Sequence, residues 1–171
     1  VIPNGGIRMV VTDGAGSGAA ITDVLDVLGG TGNIALGSGA MGTALTTGTD
    51  NVAIGENALD AVTTGARNTA VGDNAAGAIT TGADNIAVGP NALLVGTTGT
   101  YNVAVGRSAL VAATTGSYNI AIGGLTLDAL TTAENNIAIG HQALTANTSG
   151  TDNVAVGANA LDANTTGNDN T

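Results

Sequence analysis

The stretch NVAIGENALDAVTTGAR (51–67) is followed directly by NTAVGDNAAGAITTGAD (68–84) and NIAVGPNALLVGTTGTY (85–101). One 17-residue skeleton recurs with altered decoration. Asn opens a unit at 51, 68, 85, 102, 119, 136 and 153, and Asn170 opens a further one in register. Upstream, NIALGSGAMGTALTTGTD from Asn33 is the same unit with one additional residue. A unit this short cannot bury a face alone, so repetition at such a period calls for stacking of each unit on its neighbours.

Counting from the opening Asn as position 1, position 3 is always Ala and position 5 always Gly. Positions 2 and 4 are β-branched almost throughout, as in Val52 and Ile54 or Ile120 and Ile122. In the seven 17-residue units position 9 is Leu except at Ala76, position 13 is always Thr, position 14 is Thr except at Ser149, and position 15 is Gly except at Ala133. Two glycines and several β-branched residues per unit disfavour helix, and no 3.6-residue apolar stripe runs through. The expected unit is a short strand, a Gly turn, a second strand and a second Gly turn, with the glycine of position 15 supplying φ > 0. The expected fold is therefore all-β: a parallel β-solenoid of 17-residue coils, about 4.8 Å apart.

Alternate strand residues face opposite sides. The large side chains at positions 2 and 4 are expected to fill the coil, which sends the alanine of position 3 outward. An outward column that never varies, in contrast to position 6 (Glu56, Asp73, Pro90, Arg107, Gly124, His141, Ala158), points to close approach of another surface. Position 8, Ala in six of seven 17-residue units, reads the same way. Ala53, Ala70, Ala87, Ala104, Ala121, Ala138 and Ala155 are thus the expected subunit contact, in side-by-side packing with rotational symmetry.

The motifs NVAIG, NIAVG and NIAIG followed by NAL or SAL resemble the head repeats of trimeric autotransporter adhesins of the YadA type. They are equally similar to the TTG-containing repeats of phage tail fibres and related bacterial surface fibres. The resemblance covers residues 33–171. It implies a homotrimer of left-handed parallel β-rolls with an adhesive or fibre-building role, placed outside the cell, on its surface or on a virion, and meeting a cell-surface glycan or protein receptor. YadA-type head repeats are shorter than 17 residues, so the Thr-Thr-Gly segment is an addition to that pattern.

Composition narrows the function classes. The 171 residues include 28 Gly, no Cys, Trp or Phe, and two Tyr, so the interior must be thin and aliphatic. Three basic against 13 acidic side chains give a formal charge of −10, which argues against nucleic acid and against docking on anionic membranes. No apolar run approaches the length needed to span a bilayer as a helix. Without cysteine there is neither disulfide nor thiolate chemistry.

The parts for catalysis are few. His141, the single histidine, sits at variable position 6 and reads as a solvated residue. DGAGSGAA (13–20) lacks the strand-to-helix setting of a dinucleotide site, and the chain has no GK[ST] phosphate loop. Asp50, Asp84, Asp152 and Asp169 share position 17, and Asp60, Asp128 and Asp162 share position 10. Arg67, Tyr101 and Tyr118 interrupt the first of these columns, and solvated carboxylates explain both. No enzyme activity, cofactor or metal site is expected.

Recognition is expected elsewhere. Tyr101 and Tyr118 occupy position 17 of consecutive units and should stack one coil apart on an exposed edge, with Asp84, Asn91 and Ser108 lining the patch. The Thr ladder raises ice binding as an alternative, but adjacent threonines on a strand face opposite ways and leave a single row toward water. Residues 1–32 read as a capping or joining segment, with 6–14 as a strand and 19–30 as a strand or short helix. Residues 33–171 form the array. Its last two residues open a further unit in register, which predicts a piece of a longer fibre, with a self-assembling head-to-tail filament subunit as the alternative.

Overall fold

The computed structural model describes residues 10–11, 22–23, 32–45 and 47–171. Most of the expected capping segment lies outside these residues. Within it, β1 (Val10–Val11) pairs antiparallel with β2 (Thr22–Asp23). The array is an all-β parallel solenoid, and no helix occurs among the described residues. Each unit contributes one three-residue strand: β3 (Ile34–Leu36), β4 (Val52–Ile54), β5 (Thr69–Val71), β6 (Ile86–Val88), β7 (Val103–Val105), β8 (Ile120–Ile122), β9 (Ile137–Ile139) and β10 (Val154–Val156). They form one eight-stranded parallel sheet in chain order. Every position 3 alanine faces its copy, as in Ala53↔Ala70 and Ala87↔Ala104. The expected second strand is absent: positions 6–11 run as consecutive turns, and the Thr-Thr-Gly segment is a bend.

Backbone bonds nonetheless join coils around the whole circumference. The N–H of position 2 donates to the next coil's Asn carbonyl (Val52 to Asn68, 2.8 Å), and that of position 9 to the next coil's position 8 (Leu93 to Ala109, 2.9 Å). Position 13 donates to the carbonyl of its own copy, both through its N–H (Thr97 to Thr114, 2.8 Å) and through its hydroxyl (3.1 Å). The additional residue of the first unit falls within 42–44, because Met41 bonds to Ala58 as a position 9 residue does and the sheet register is undisturbed (Ile34↔Val52).

The orientation of the strand is the reverse of that expected. Ala53, Ala70, Ala87, Ala104, Ala121 and Ala138 are completely buried inside their own chain, and Ala155 nearly so. These columns therefore line the coil interior and present no methyl groups to another subunit. The position 8 alanines, such as Ala58, Ala75, Ala92 and Ala109, are buried as well. The reason is lumen width. Seventeen residues enclose a narrow space that the position 9 side chain, Leu59 or Leu110, already fills from the opposite wall. A methyl group is what fits opposite it at close-packed density. Position 12 adds further buried side chains to the lumen, Val62, Ile79, Ala113 and Leu130 among them, and Ile79 does so in the coil where position 9 is only Ala76.

The asparagine of position 1 shares the inward side with the position 3 alanine, and it forms a continuous buried ladder. Asn68 donates its backbone N–H (2.9 Å) and its Nδ2 (3.2 Å) to Oδ1 of Asn51, and Nδ2 donates again to the carbonyl of Gly82 (2.8 Å) in its own coil. The same pattern links Asn85 to Asn68 and Asn102 to Asn85. No buried side-chain polar atom among the described residues lacks a partner.

The turns demand left-handed backbone at three non-glycine positions per coil, for instance Asn57, Leu59 and Arg67 (φ 51, 52 and 56°). Each costs about 1–2 kcal/mol in isolation, and the stacked coils hold them there. The glycine of position 5 goes further, at φ 126–135° from Gly55 to Gly157, a region open to glycine. The glycine of position 15, expected to need positive φ, does not adopt it. Its constraint is steric: a Cβ on Gly65 would lie 2.5 Å from the carbonyl oxygen of Gly82 in the next coil.

Two substitutions test this arrangement. Asn102→Ala should remove the acceptor of the Asn119 backbone N–H and the donor to the Gly116 carbonyl, and lower stability by about 3 kcal/mol in denaturant unfolding. Ala104→Val should overpack the lumen and cost about 1–3 kcal/mol, whereas an outward Ala104 would tolerate the change within about 0.5 kcal/mol.

Candidate functional site

Two surfaces stand out. The first is the outer face of the sheet. With the position 3 alanines inside, positions 2 and 4 point away from the coil and form two parallel rows of Ile, Val and Leu along eight strands. Ile34, Ile86 and Ile139 are exposed by 44%, 42% and 38%, and Val156 in the last coil by 68%. Thr69 is the one polar side chain in these rows.

The second surface is the position 17 column at the N-terminal end of the strands. Its residues sit in left-handed conformation (Asp84 φ 60°, Tyr101 φ 58°, Tyr118 φ 60°), and each N–H donates to the preceding coil's position 16 carbonyl, as Tyr118 does to Thr100 at 3.0 Å. This backbone tie sets successive side chains one above another. Tyr101 and Tyr118 stack with ring centroids 5.1 Å apart and planes 9° from parallel, and both are about half exposed. One coil before them, Asp84 is gripped by Arg67, whose Nε reaches Oδ1 at 2.6 Å and Nη2 reaches Oδ2 at 2.7 Å. The hydrogen bonds and charge of Arg67 hold the Asp84 carboxyl below its ordinary range, and Asp84 in turn raises the guanidinium. Opposite charges at position 17 of adjacent units are the sequence signal for this pair, which is missed when Arg67 is taken as an interruption of the column.

Asn91 and Ser108 are not brought to the tyrosines. They occupy position 7, beyond the C-terminal ends of β6 and β7, so each strand separates them from position 17. Their N–H groups donate to the carbonyls of Asp73 and Pro90, at 2.9 and 3.0 Å. No group of three His, Asp or Glu side chains among the described residues converges as metal ligands would. His141 is exposed, and Asp128 accepts from the Thr145 hydroxyl at 2.7 Å. The threonines do not lie on a strand: position 13 hydroxyls bond to the next coil, as Thr80 does to Thr97 at 3.1 Å, position 14 is exposed from Thr64 to Thr166, and position 13 is exposed as well at Thr131, Thr148 and Thr165.

No family model, curated protein or solved structure matches the chain. The surfaces therefore carry the functional reading by themselves. No helix among the described residues is long and apolar enough to cross a membrane.

The ion pair yields a pH prediction. Asp84 has a depressed folded pKa, so its contribution is present above the usual aspartate range near 3.9 and is lost as pH falls through the lower folded value. In Arg67→Ala, the Asp84 carboxyl carbon, followed by NMR, should titrate at higher pH, back toward the ordinary aspartate range. An unchanged midpoint would show that Arg67 does not hold it.

Proposed function

We propose that this chain is a non-enzymatic structural segment of an extracellular trimeric fibre, in which three copies pack side by side through the outer faces of their sheets. The observation that carries this reading is the double row of exposed aliphatic side chains at positions 2 and 4. Soluble monomers seldom leave a contiguous apolar stripe of this length facing water, and identical stripes on identical rods cover one another naturally under rotational symmetry. The subunit contact expected at the alanine columns thus passes to the neighbouring residues of the same strands. The resemblance of the NVAIG and NIAVG units to adhesin-head and tail-fibre repeats supports a trimer and a location on a cell surface or virion. The repeated turns and laddered asparagines suit a rod whose outside can vary without disturbing its inside.

Light scattering after size-exclusion chromatography tests the proposal. The protein should elute at about three times its 16.2 kDa chain mass. Ile86→Asp with Ile122→Asp should give a folded species of single-chain mass, because a buried unpaired carboxylate on each stripe costs several kcal/mol. A wild-type monomer would overturn the reading.

A further inference from the structure

The column differs in chemistry on the two sides of the tyrosine stack. On the Tyr101 side the neighbouring carboxylate is engaged, since Arg67 reaches across one coil to chelate Asp84. On the Tyr118 side the next residues in the column are Asn135 and Asp152, held in the same left-handed conformation (φ 60 and 58°). Their backbones continue the ladder, with Asn135 N–H donating to Ser117 (3.3 Å) and Asp152 N–H to Glu134 (3.4 Å). An Asn or Asp side chain extends only as far as the base of a tyrosine ring in the adjacent coil. The outer face of Tyr118 is therefore uncovered, and beneath it lie an amide and a carboxylate that face solvent.

We infer that the open face of Tyr118 binds one pyranose ring of an uncharged oligosaccharide, seated as the next ring in the tyrosine stack. The chemistry fits on three counts. A pyranose presents a face of C–H groups, which suits the negative face of an aromatic ring. Its edge hydroxyls both donate and accept, matching the Asn135 amide and the Asp152 carboxylate one and two coils on. The coil spacing of about 4.8 Å leaves room for one ring per coil, as Tyr101 and Tyr118 already occupy it with centroids 5.1 Å apart. Glu134 and Asp152 beside the slot, on a chain of net charge −10, exclude anionic sugars. Aromatic residues are the protein's two tyrosines alone, so its intrinsic fluorescence reports on this column and nothing else. The site does not depend on the trimer: it lies in the variable column, whereas assembly concerns the aliphatic rows.

The full chain is titrated with methyl β-glucopyranoside, methyl β-galactopyranoside and triacetylchitotriose to tens of millimolar, with sialyllactose as the anionic comparison. Tyrosine emission and saturation-transfer NMR are the two readouts. At least one neutral sugar should give a saturable change in the millimolar range, the scale of a one-ring ligand. Tyr118→Ala should weaken it about tenfold or more, Tyr118→Phe should restore it to within about threefold, and Asn135→Ala should weaken it less than the loss of the ring. Absence of saturation with every neutral sugar overturns the inference, as does equal binding of sialyllactose or equal affinity in Tyr118→Ala. Light scattering on the same samples keeps the two proposals apart: a monomer that binds sugar sinks the fibre packing only, and a trimer without binding sinks the site only.

Discussion

The asparagine ladder is the constraint on which this solenoid depends. A coil that doubles back within 17 residues must bury backbone groups that no regular strand pairing can reach, and position 1 supplies the missing partners. Each position 1 Asn from 33 to 153 accepts hydrogen bonds from the next, and most donate across their own coil, as Asn68 does to the Gly82 carbonyl; Asn136 donates instead to Glu134, and Asn147 takes the Gly150 carbonyl. The amide is suited to this because it carries an acceptor and two donors on one rigid group. An aspartate would lack the donor and repel its copies down the column, and an aliphatic residue would leave several buried groups unpaired. Complete satisfaction of buried side-chain polar atoms among the described residues follows largely from this one repeated choice.

The ladder also orients the strand. Residues of equal parity share a side, so an inward asparagine at position 1 brings the alanine of position 3 inward and sends positions 2 and 4 outward. The lumen then has room for a methyl on one wall and a leucine on the other, and the bulky β-branched residues face away. An assembly role becomes the natural reading of a feature that would otherwise be a liability, since two aliphatic rows in water invite contact with a like surface. Interior and exterior answer to different demands: coil-to-coil identity inside and, in the proposed packing, self-complementarity outside.

Position 17 shows what freedom remains. Its backbone is tied to the preceding coil, so successive side chains are held in a row whatever they are. The row holds an ion pair, then a ring stack, then short polar residues. Placing these groups requires no local scaffold beyond the coil itself. Such a column can be rewritten without touching the Asn, Ala, Gly and Leu positions that build the rod, which keeps the proposed recognition surface apart from the residues that give stability.

Much of this is legible in residue order. The period of 17, the in-register stacking of like on like, the absence of helix among the described residues and the pairing of Tyr101 with Tyr118 all follow from spacing, because a repeat that cannot bury itself must stack, and stacking brings equivalent positions together. The direction of the strand does not follow. Size and hydrophobicity assign Val and Ile to the inside, and only the folded coil shows how narrow the lumen is and that the position 1 asparagine must occupy it. The parity of an invariant polar residue is the available clue, and it lies on the alanine side. The glycine of position 15 reads as conformational where its demand is steric, since a carbonyl from the next coil approaches it. Asn91 and Ser108 group with the tyrosines in sequence although a strand divides them in space. Repetition along the chain determines what stacks on what; which side of each stack is enclosed depends on the cross-section of the closed coil, a quantity that exists only in three dimensions.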